Sequence, residues 1–224
     1  MTATATFDNA GIQALARLYG QRFPAVRRAM VTLRPRICPF GAVLQPIASA
    51  RTLLDIGCGS GFFLFLAQRV QSRDRLVGVE ASEPMATDAR ATLASCLGDD
   101  ATKVAISATL DLDAWPRERF DAVTILDVLH HVPPPAKHAF LTAAAARVAP
   151  GGRLIYKDID AAPTWRRAMN SLHDLLVARE RVTYTPRDRV AGWLRQAGLV
   201  RVEARVTDTL WYRHTLDVYW RPDR

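Results

Sequence analysis

The apolar positions of this chain come in short runs whose period changes along its length. Residues 9–48 carry Ile12, Leu15, Leu18 and Tyr19 at helical spacing, and prolines at 24, 35, 39 and 46 are expected to break that helical region into pieces. From residue 52 the chain alternates between short apolar runs and amphipathic ones. The pattern predicts a strand at 52–57, a helix over about 60–71, a strand at 75–80 and a helix at 83–96. A strand at about 103–107 follows, then DAVTIL at 121–126, which is almost wholly apolar, as a parallel strand covered on both faces should be. A helix is expected from about 135 to 149, stopped by Pro150-Gly151-Gly152, with a strand at 153–158 beyond it. Helices over 163–181 and 187–197, the second ending at Gly198, precede two last strands at about 199–206 and 210–220. Alternating strands and helices predict an α/β doubly wound sheet.

One junction carries chemistry. LLDIGCGSGFF at 53–63 ends a strand at Asp55–Ile56, turns through Gly57, Gly59 and Gly61, and enters an apolar helix near Ser60. Glycine allows a positive φ and lets backbone approach a ligand with no Cβ between them. The spacing Gly57-x-Gly59-x-Gly61 does not fit the G-x-G-x-x-G of dinucleotide sites, and the G-K-[ST] of a phosphate loop is missing. The second strand, RLVGVE, ends in Glu80, 25 positions after Asp55. An acid there can accept hydrogen bonds from both hydroxyls of a ribose. It can also serve the following helix, whose start at Ser82-Glu83-Pro84 is well suited to capping.

The blocks DIGCGSG, VGVE, FDAVTILDVLHHVPPP and RVAPGGRLIYKDID, in this order, resemble the class I S-adenosylmethionine-dependent methyltransferases of the small-molecule type. The resemblance covers residues 52–160 well and the rest loosely. It implies a seven-stranded, mostly parallel sheet of order 3-2-1-4-5-7-6, with strand 7 antiparallel and an N-terminal helical lid. It implies a single methyltransferase domain over 1–224: a helical cap at 1–50, a cofactor-binding core at 51–160, and acceptor-side helices with a terminal strand pair at 161–224. The implied cofactor is S-adenosyl-L-methionine, held by Asp55, Gly57, Cys58, Gly59, Gly61, Glu80, Ala81, Ser82, Met85, Thr109 and Asp127. Asp55 would orient the turn and reach the methionine moiety, and Met85 would flank the adenine. Cys58 fills a place the family gives to a small residue; a nucleophilic role is the weaker alternative. Thr109 stands where the family often has an acid for the adenine amino group, which leaves that contact open between Thr109, backbone groups, Asp111 and Asp113. Tyr19, Arg22 and Phe23 would belong to the lid.

On the acceptor side, Asp127 opens the loop after the fourth strand and is expected beside the sulfonium. The N-P-P-Y or D-P-P-Y of nucleic-acid amino methyltransferases does not occur here. His130 and His131 are a titratable pair, with His131 the better candidate for a base. Asp158 and Asp160 sit at the end of the fifth strand, His173-Asp174 on the helix beyond, and Tyr184 and His214 follow. The catalytic candidates are therefore Asp158, His173 and His131. Trp211, Tyr212, Tyr219 and Trp220 can line an apolar acceptor pocket or form core. The expected reaction moves one methyl group to oxygen or activated carbon of a small or lipid-like acceptor, a phenolic or polyketide-type compound among them. A catalytically silent binding subunit, a nitrogen methyltransferase and an RNA methyltransferase are the alternatives.

Composition narrows the setting. The 224 residues suffice for one buried α/β domain, and 49% hydrophobic with 23% charged residues is ordinary for a globular chain. No apolar run approaches the ~20 residues of a membrane span, and MTATATFDNAG lacks a secretion signal, so a cytoplasmic protein is expected. Three scattered cysteines, Cys38, Cys58 and Cys96, suggest neither a disulfide framework nor a metal site. The net charge of +8 comes mostly from arginine, densest between Arg22 and Arg36, where Phe23, Val26, Met30 and Leu33 interleave. That mixture suits a cap helix, an acidic carrier protein or the anionic inner face of a membrane, or simply a solvated basic surface; nucleic acid is disfavoured by the loop chemistry.

Overall fold

Seven strands hydrogen-bond into one sheet of order β3-β2-β1-β4-β5-β7-β6 in the computed structural model, which describes residues 9–159, 182–209 and 212–223. The strands are β1 (Thr52–Ile56), β2 (Arg75–Glu80), β3 (Val104–Ala108), β4 (Phe120–Leu126), β5 (Val148–Ile159), β6 (Val200–Thr209) and β7 (Tyr212–Trp220). The order and the antiparallel seventh strand are those the resemblance implies. The chain divides into two compact units, Met1–Trp115 and Pro116–Arg224.

The first unit pairs β1 with β2 and β2 with β3, all parallel. Its helices are α1 (Asn9–Gly20), α2 (Ala25–Ile37), α3 (Phe40–Leu44), α4 (Phe62–Val70) and α5 (Glu83–Leu97). Pro24 and Pro39 stand just before α2 and α3 and Pro46 lies in a short 3₁₀ turn, as expected of chain breakers. Pro35 does not break α2. It sits in the last turn, where it removes one hydrogen bond, and the Cys38 N–H still reaches Arg34 O at 2.8 Å.

The α4 helix starts at Phe62, not near Ser60, because Gly61 takes φ +76° and serves as its N-cap. Every side chain from Phe62 to Gln68 is buried. Tyr19 of α1 lies against this helix. Its ring stacks on Phe65 with centroids 4.8 Å apart and meets Phe62 and Phe23, while its hydroxyl donates to Ser60 O at 2.7 Å. Tyr19 and Phe23 are therefore buried supports of the glycine turn, whereas Arg22 is exposed. Nothing in the spacing singles out Arg73, a buried arginine whose guanidinium donates to the carbonyls of Ile47 and Ala50.

In the second unit β4 and β5 are parallel, and β7 runs antiparallel to both β5 and β6. Among the described residues its helices are α6 (Lys137–Ala146) and α7 (Arg187–Gln196). The expected boundary at Pro150-Gly151-Gly152 is corrected: α6 ends at Ala146 and β5 already begins at Val148, so this tripeptide lies inside the strand. The β4–β5 register shifts between Phe120 and Ala122, and a Cβ on Gly152 would come within 2.8 Å of Ala149 O and 3.0 Å of Asp121 O. Gly151 and Gly152 bond instead to Arg221, at the end of β7. Tyr219 belongs to the core. The helix expected over 163–181, with His173 and Asp174, and the residues Asp160 and Trp211 lie outside the described residues.

The anchoring role of Tyr19 can be measured by urea unfolding of the full chain. Tyr19→Phe, which removes only the hydroxyl, should cost about 1 kcal/mol. Tyr19→Ala should cost roughly 3–5 kcal/mol. Equal losses would show that the ring packing contributes nothing beyond the hydrogen bond.

Candidate functional site

The glycine turn closes the first unit's chemistry around Glu80. Gly57, Gly59 and Gly61 have φ values of +74°, +54° and +76°, all in the left-handed region. The N–H groups of Gly57 and Cys58 both donate to Val79 O, at 2.7 and 3.1 Å, which hooks the turn to the end of β2. The Gly59 N–H donates to Glu80 Oε2 at 2.8 Å, and the Ser82 N–H to Glu80 Oε1 at 3.1 Å. Each carboxylate oxygen thus takes one backbone donor. An ionised carboxylate has about four acceptor sites, so one per oxygen remains for a ligand. That is the requirement for gripping two adjacent ribose hydroxyls.

The turn itself can admit a ligand. A Cβ at Gly59 would meet nothing within 4 Å, so backbone conformation and not packing demands glycine there. At Gly61 both matter, since a Cβ would lie 2.8 Å from Leu93 and 3.1 Å from the Tyr19 hydroxyl. Asp55 is buried at the end of β1. Ser82 caps α5, its Oγ accepting from the Met85 N–H at 3.4 Å; Met85 is half-buried and Ala81 exposed. Burial, together with the charges of Asp55 and Glu80, pushes the Cys58 thiol well up, so it stays protonated at neutral pH and is a poor nucleophile.

After β3, Thr109 donates its N–H to Glu80 O at 2.8 Å, and its hydroxyl accepts from the Asp111 N–H at 3.0 Å. That hydroxyl therefore builds the local turn. The turn holds Leu110 out, 82% exposed.

The second unit holds a separate polar cluster. Asp127 takes φ +59°, unusual for a non-glycine residue, and its N–H donates to Lys157 O at 2.8 Å. The fully buried Lys157 ammonium donates to both Asp127 oxygens, at 2.6 and 2.7 Å. Lys157 was not among the expected site residues, because a lysine near a strand end reads as surface. Its pairing offsets the charge with which Asp127 was expected to steady a sulfonium.

Asp158 pairs with His130, not with His131. The His130 Nδ1–Asp158 Oδ1 distance is 2.5 Å, and both side chains are 5% exposed. The Ile159 N–H and the Tyr156 hydroxyl also donate to this carboxylate, at 2.8 and 3.2 Å. With the Ile159 N–H and the Tyr156 hydroxyl donating to the same carboxylate, Asp158 serves as the acceptor that orients the His130 ring through Nδ1. Burial beside Asp158 pushes the Tyr156 phenol well up, so it remains a donor. His131 is exposed and packs its ring on His130, with centroids 4.1 Å apart.

The same loop is tied to the chain near 183. The Thr183 N–H donates to His130 O at 3.0 Å, and the Lys137 ammonium donates to Thr183 O and, at 3.1 Å, to the Thr185 hydroxyl. Burial pulls the Lys137 pKa down, and the Asp158 charge pushes it part of the way back. The Tyr184 ring lies 5.9 Å from His130. His214 is buried on β7 opposite Ile159. Among the described residues no cluster of His, Cys, Asp or Glu could hold a metal ion, and no helix is long and apolar enough to cross a membrane.

This strand order, with a glycine turn after β1 and an acid ending β2, defines the class I methyltransferase fold. A methyltransferase-domain family matches residues 26–204, and the chain belongs to that family, within the class whose methyl donor is S-adenosylmethionine. The chain is 31% identical over 164 residues to a ubiquinone biosynthesis O-methyltransferase of Hahella chejuensis, covering 69% of this chain and 65% of that one. A protein of the same description from Stutzerimonas stutzeri is 32% identical over 117 residues, covering 51% and 47%. The chain thus spans about half to two thirds of the length of these relatives. Among solved structures, a magnesium protoporphyrin IX methyltransferase from Synechocystis, with S-adenosylhomocysteine bound, superposes with a TM-score of 0.69 at 17% identity, over 96% of this chain and all of that one. An O-methyltransferase family protein from Burkholderia thailandensis gives 0.69 at 21%, over 92% and 63%.

The Lys157–Asp127 pair offers a direct test. Lys157→Met should destabilise the chain by roughly 3–5 kcal/mol, because it leaves a carboxylate without its cation in a largely buried place. Adding Asp127→Asn should recover much of that loss. A double variant as unstable as the sum of the single ones would show that the two residues do not act together.

Proposed function

We propose that the chain is an S-adenosylmethionine-dependent O-methyltransferase acting on a phenolic hydroxyl of a small, lipophilic acceptor. The observation that carries this reading is the buried His130–Asp158 pair. A phenol with an ordinary pKa near 10 is a weak nucleophile at neutral pH. An imidazole held by an ionised carboxylate is a suitable device to take its proton. The relatives, ubiquinone biosynthesis O-methyltransferases, support oxygen as the methylated atom and a small, quinone-related acceptor.

When bound, S-adenosylmethionine supplies a methyl carbon made electrophilic by the adjoining sulfonium. Glu80 holds the ribose hydroxyls through the one open acceptor site on each of its oxygens. The turn at Gly57–Gly61 presents backbone in place of side chains, so the nucleoside can lie close to it. In this reading His130 Nε2 takes the phenolic proton as the oxygen attacks, and Asp158 stabilises the imidazolium that results. The proton then passes to solvent, which resets the base. Lys157 holds Asp127 in place; with the pair's charge balanced, orientation and not charge stabilisation is the role left to Asp127. His131 becomes a packing partner of the base. Catalysis of this kind is mostly positioning, which can contribute several kcal/mol.

The experiment is a methyl-transfer assay on a panel of alkyl-substituted phenols and catechols. His130→Gln should lower kcat by about 10²–10⁴ with the affinity for S-adenosylhomocysteine unchanged. Asp158→Asn should act on the same step. Glu80→Ala should instead weaken cofactor binding by at least ~1.5 kcal/mol, read by calorimetry. Full turnover of phenols by His130→Gln, or transfer to amines alone, would overturn the reading.

A further inference from the structure

The α2 helix turns its apolar side chains outward. Of its 13 residues only Val31 is buried. Val26 is 78% exposed, Met30 58% and Leu33 44%, and Ile37 is half-buried. At about 100° per residue, positions 26, 30, 33 and 37 fall within roughly 60° of one another, so they form a single stripe about 16 Å long. The face that anchors α2 is a different one. Thr32 and Arg28 lie against Gly20, where a Cβ would come within 2.8 Å of the Thr32 hydroxyl, and Gln13 donates to Thr32 O at 2.7 Å.

Charge follows the same geometry. Residues 9–50 contain six arginines, Arg17, Arg22, Arg27, Arg28, Arg34 and Arg36, and no aspartate or glutamate. On the helix, Arg27 and Arg34 fall along one edge of the stripe and Arg36 along the other, with the exposed Arg22 just before the helix. Arg27 also pairs with Asp88 of α5, which ties that edge to the body of the unit. An apolar ridge one side chain wide, bordered by cations and with no acid on its own helix, is complementary to a surface that is anionic outside and apolar beneath. It suits a protein partner poorly. A stable protein interface covers about 800 Å² on each side and has a rim of mixed sign, and this ridge is narrow and convex.

We propose that α2 docks the protein on an anionic phospholipid surface, with Val26, Met30 and Leu33 entering the acyl boundary and the bordering arginines meeting phosphate headgroups. The inference stands apart from the acceptor reading, since vesicle binding is measured without methyl transfer.

The test is co-sedimentation of the full chain with vesicles of phosphatidylglycerol and phosphatidylcholine, against vesicles of phosphatidylcholine alone. The protein should bind the anionic vesicles, bind the neutral ones at least tenfold less, and release as salt is raised. A Met30→Glu, Leu33→Glu double variant should lose at least tenfold of the anionic binding while its melting temperature and its S-adenosylhomocysteine affinity stay as in the parent. Both positions are exposed, so those two controls separate a lost surface from a lost fold. The proposal is overturned by equal binding to both vesicle types, or by undiminished binding of the double variant. It is equally overturned if vesicles are ignored while the parent dimerises and the double variant does not, which would make a second copy of this chain the occupant of the stripe.

Discussion

The candidate cofactor site depends on one carboxylate that two backbone donors orient. Glu80 takes the Gly59 N–H on one oxygen and the Ser82 N–H on the other, and so fixes the glycine turn to the start of α5. The turn takes positive φ at three glycines, and these bonds, with the two N–H groups on Val79 O and the Gly61 N–H on Cys58 O, hold it in a defined shape. The two roles weighed for Glu80, ribose acceptor and support of the next helix, do not compete. The backbone donors orient the carboxylate and leave one acceptor site on each oxygen, which is what a grip on two neighbouring hydroxyls would require. Tyr19 braces the same turn from α1, so the N-terminal helices contribute to the site as support beneath it.

The second unit is organised by charge pairing along β5 and β7. Successive residues of a strand point to opposite faces. Tyr156 and Asp158 accordingly share one face, where they meet each other and His130, while Lys157 points the other way to Asp127. On β7 the buried Asp217 is held by the Arg187 guanidinium of α7 and by the Tyr219 hydroxyl, at 3.4 Å. A buried charge without a partner costs several kcal/mol, so each pairing restricts where its loop or helix can sit. The loop after β4 is constrained twice, by Lys157 on Asp127 and by Asp158 on His130.

Much of this was legible in the sequence because the fold is written in periodicity. The second strand and the glycine turn were readable from β-branched residues, glycine spacing and a terminal acid. Features that depend on through-space geometry were not. Pro35 reads as a breaker, yet in a last helical turn it removes only one bond. Pro150-Gly151-Gly152 reads as a stop, yet a register shift between β4 and β5 takes up these residues as an irregularity within β5. His130 and His131 are indistinguishable as letters. Which ring turns inward is decided by the tight 3₁₀ turn at Leu129–His131 and by an aspartate 28 residues away. Lys157 reads as a surface cation until its partner, 30 residues earlier, is in view.

A crystal structure of the chain with S-adenosylhomocysteine tests the account most directly. The account requires both ribose hydroxyls on Glu80, one to each oxygen, with the Gly59 and Ser82 N–H bonds kept. A ligand bound away from the Gly57–Gly61 turn, or a Glu80 swung off both backbone donors with no hydroxyl on it, would contradict it.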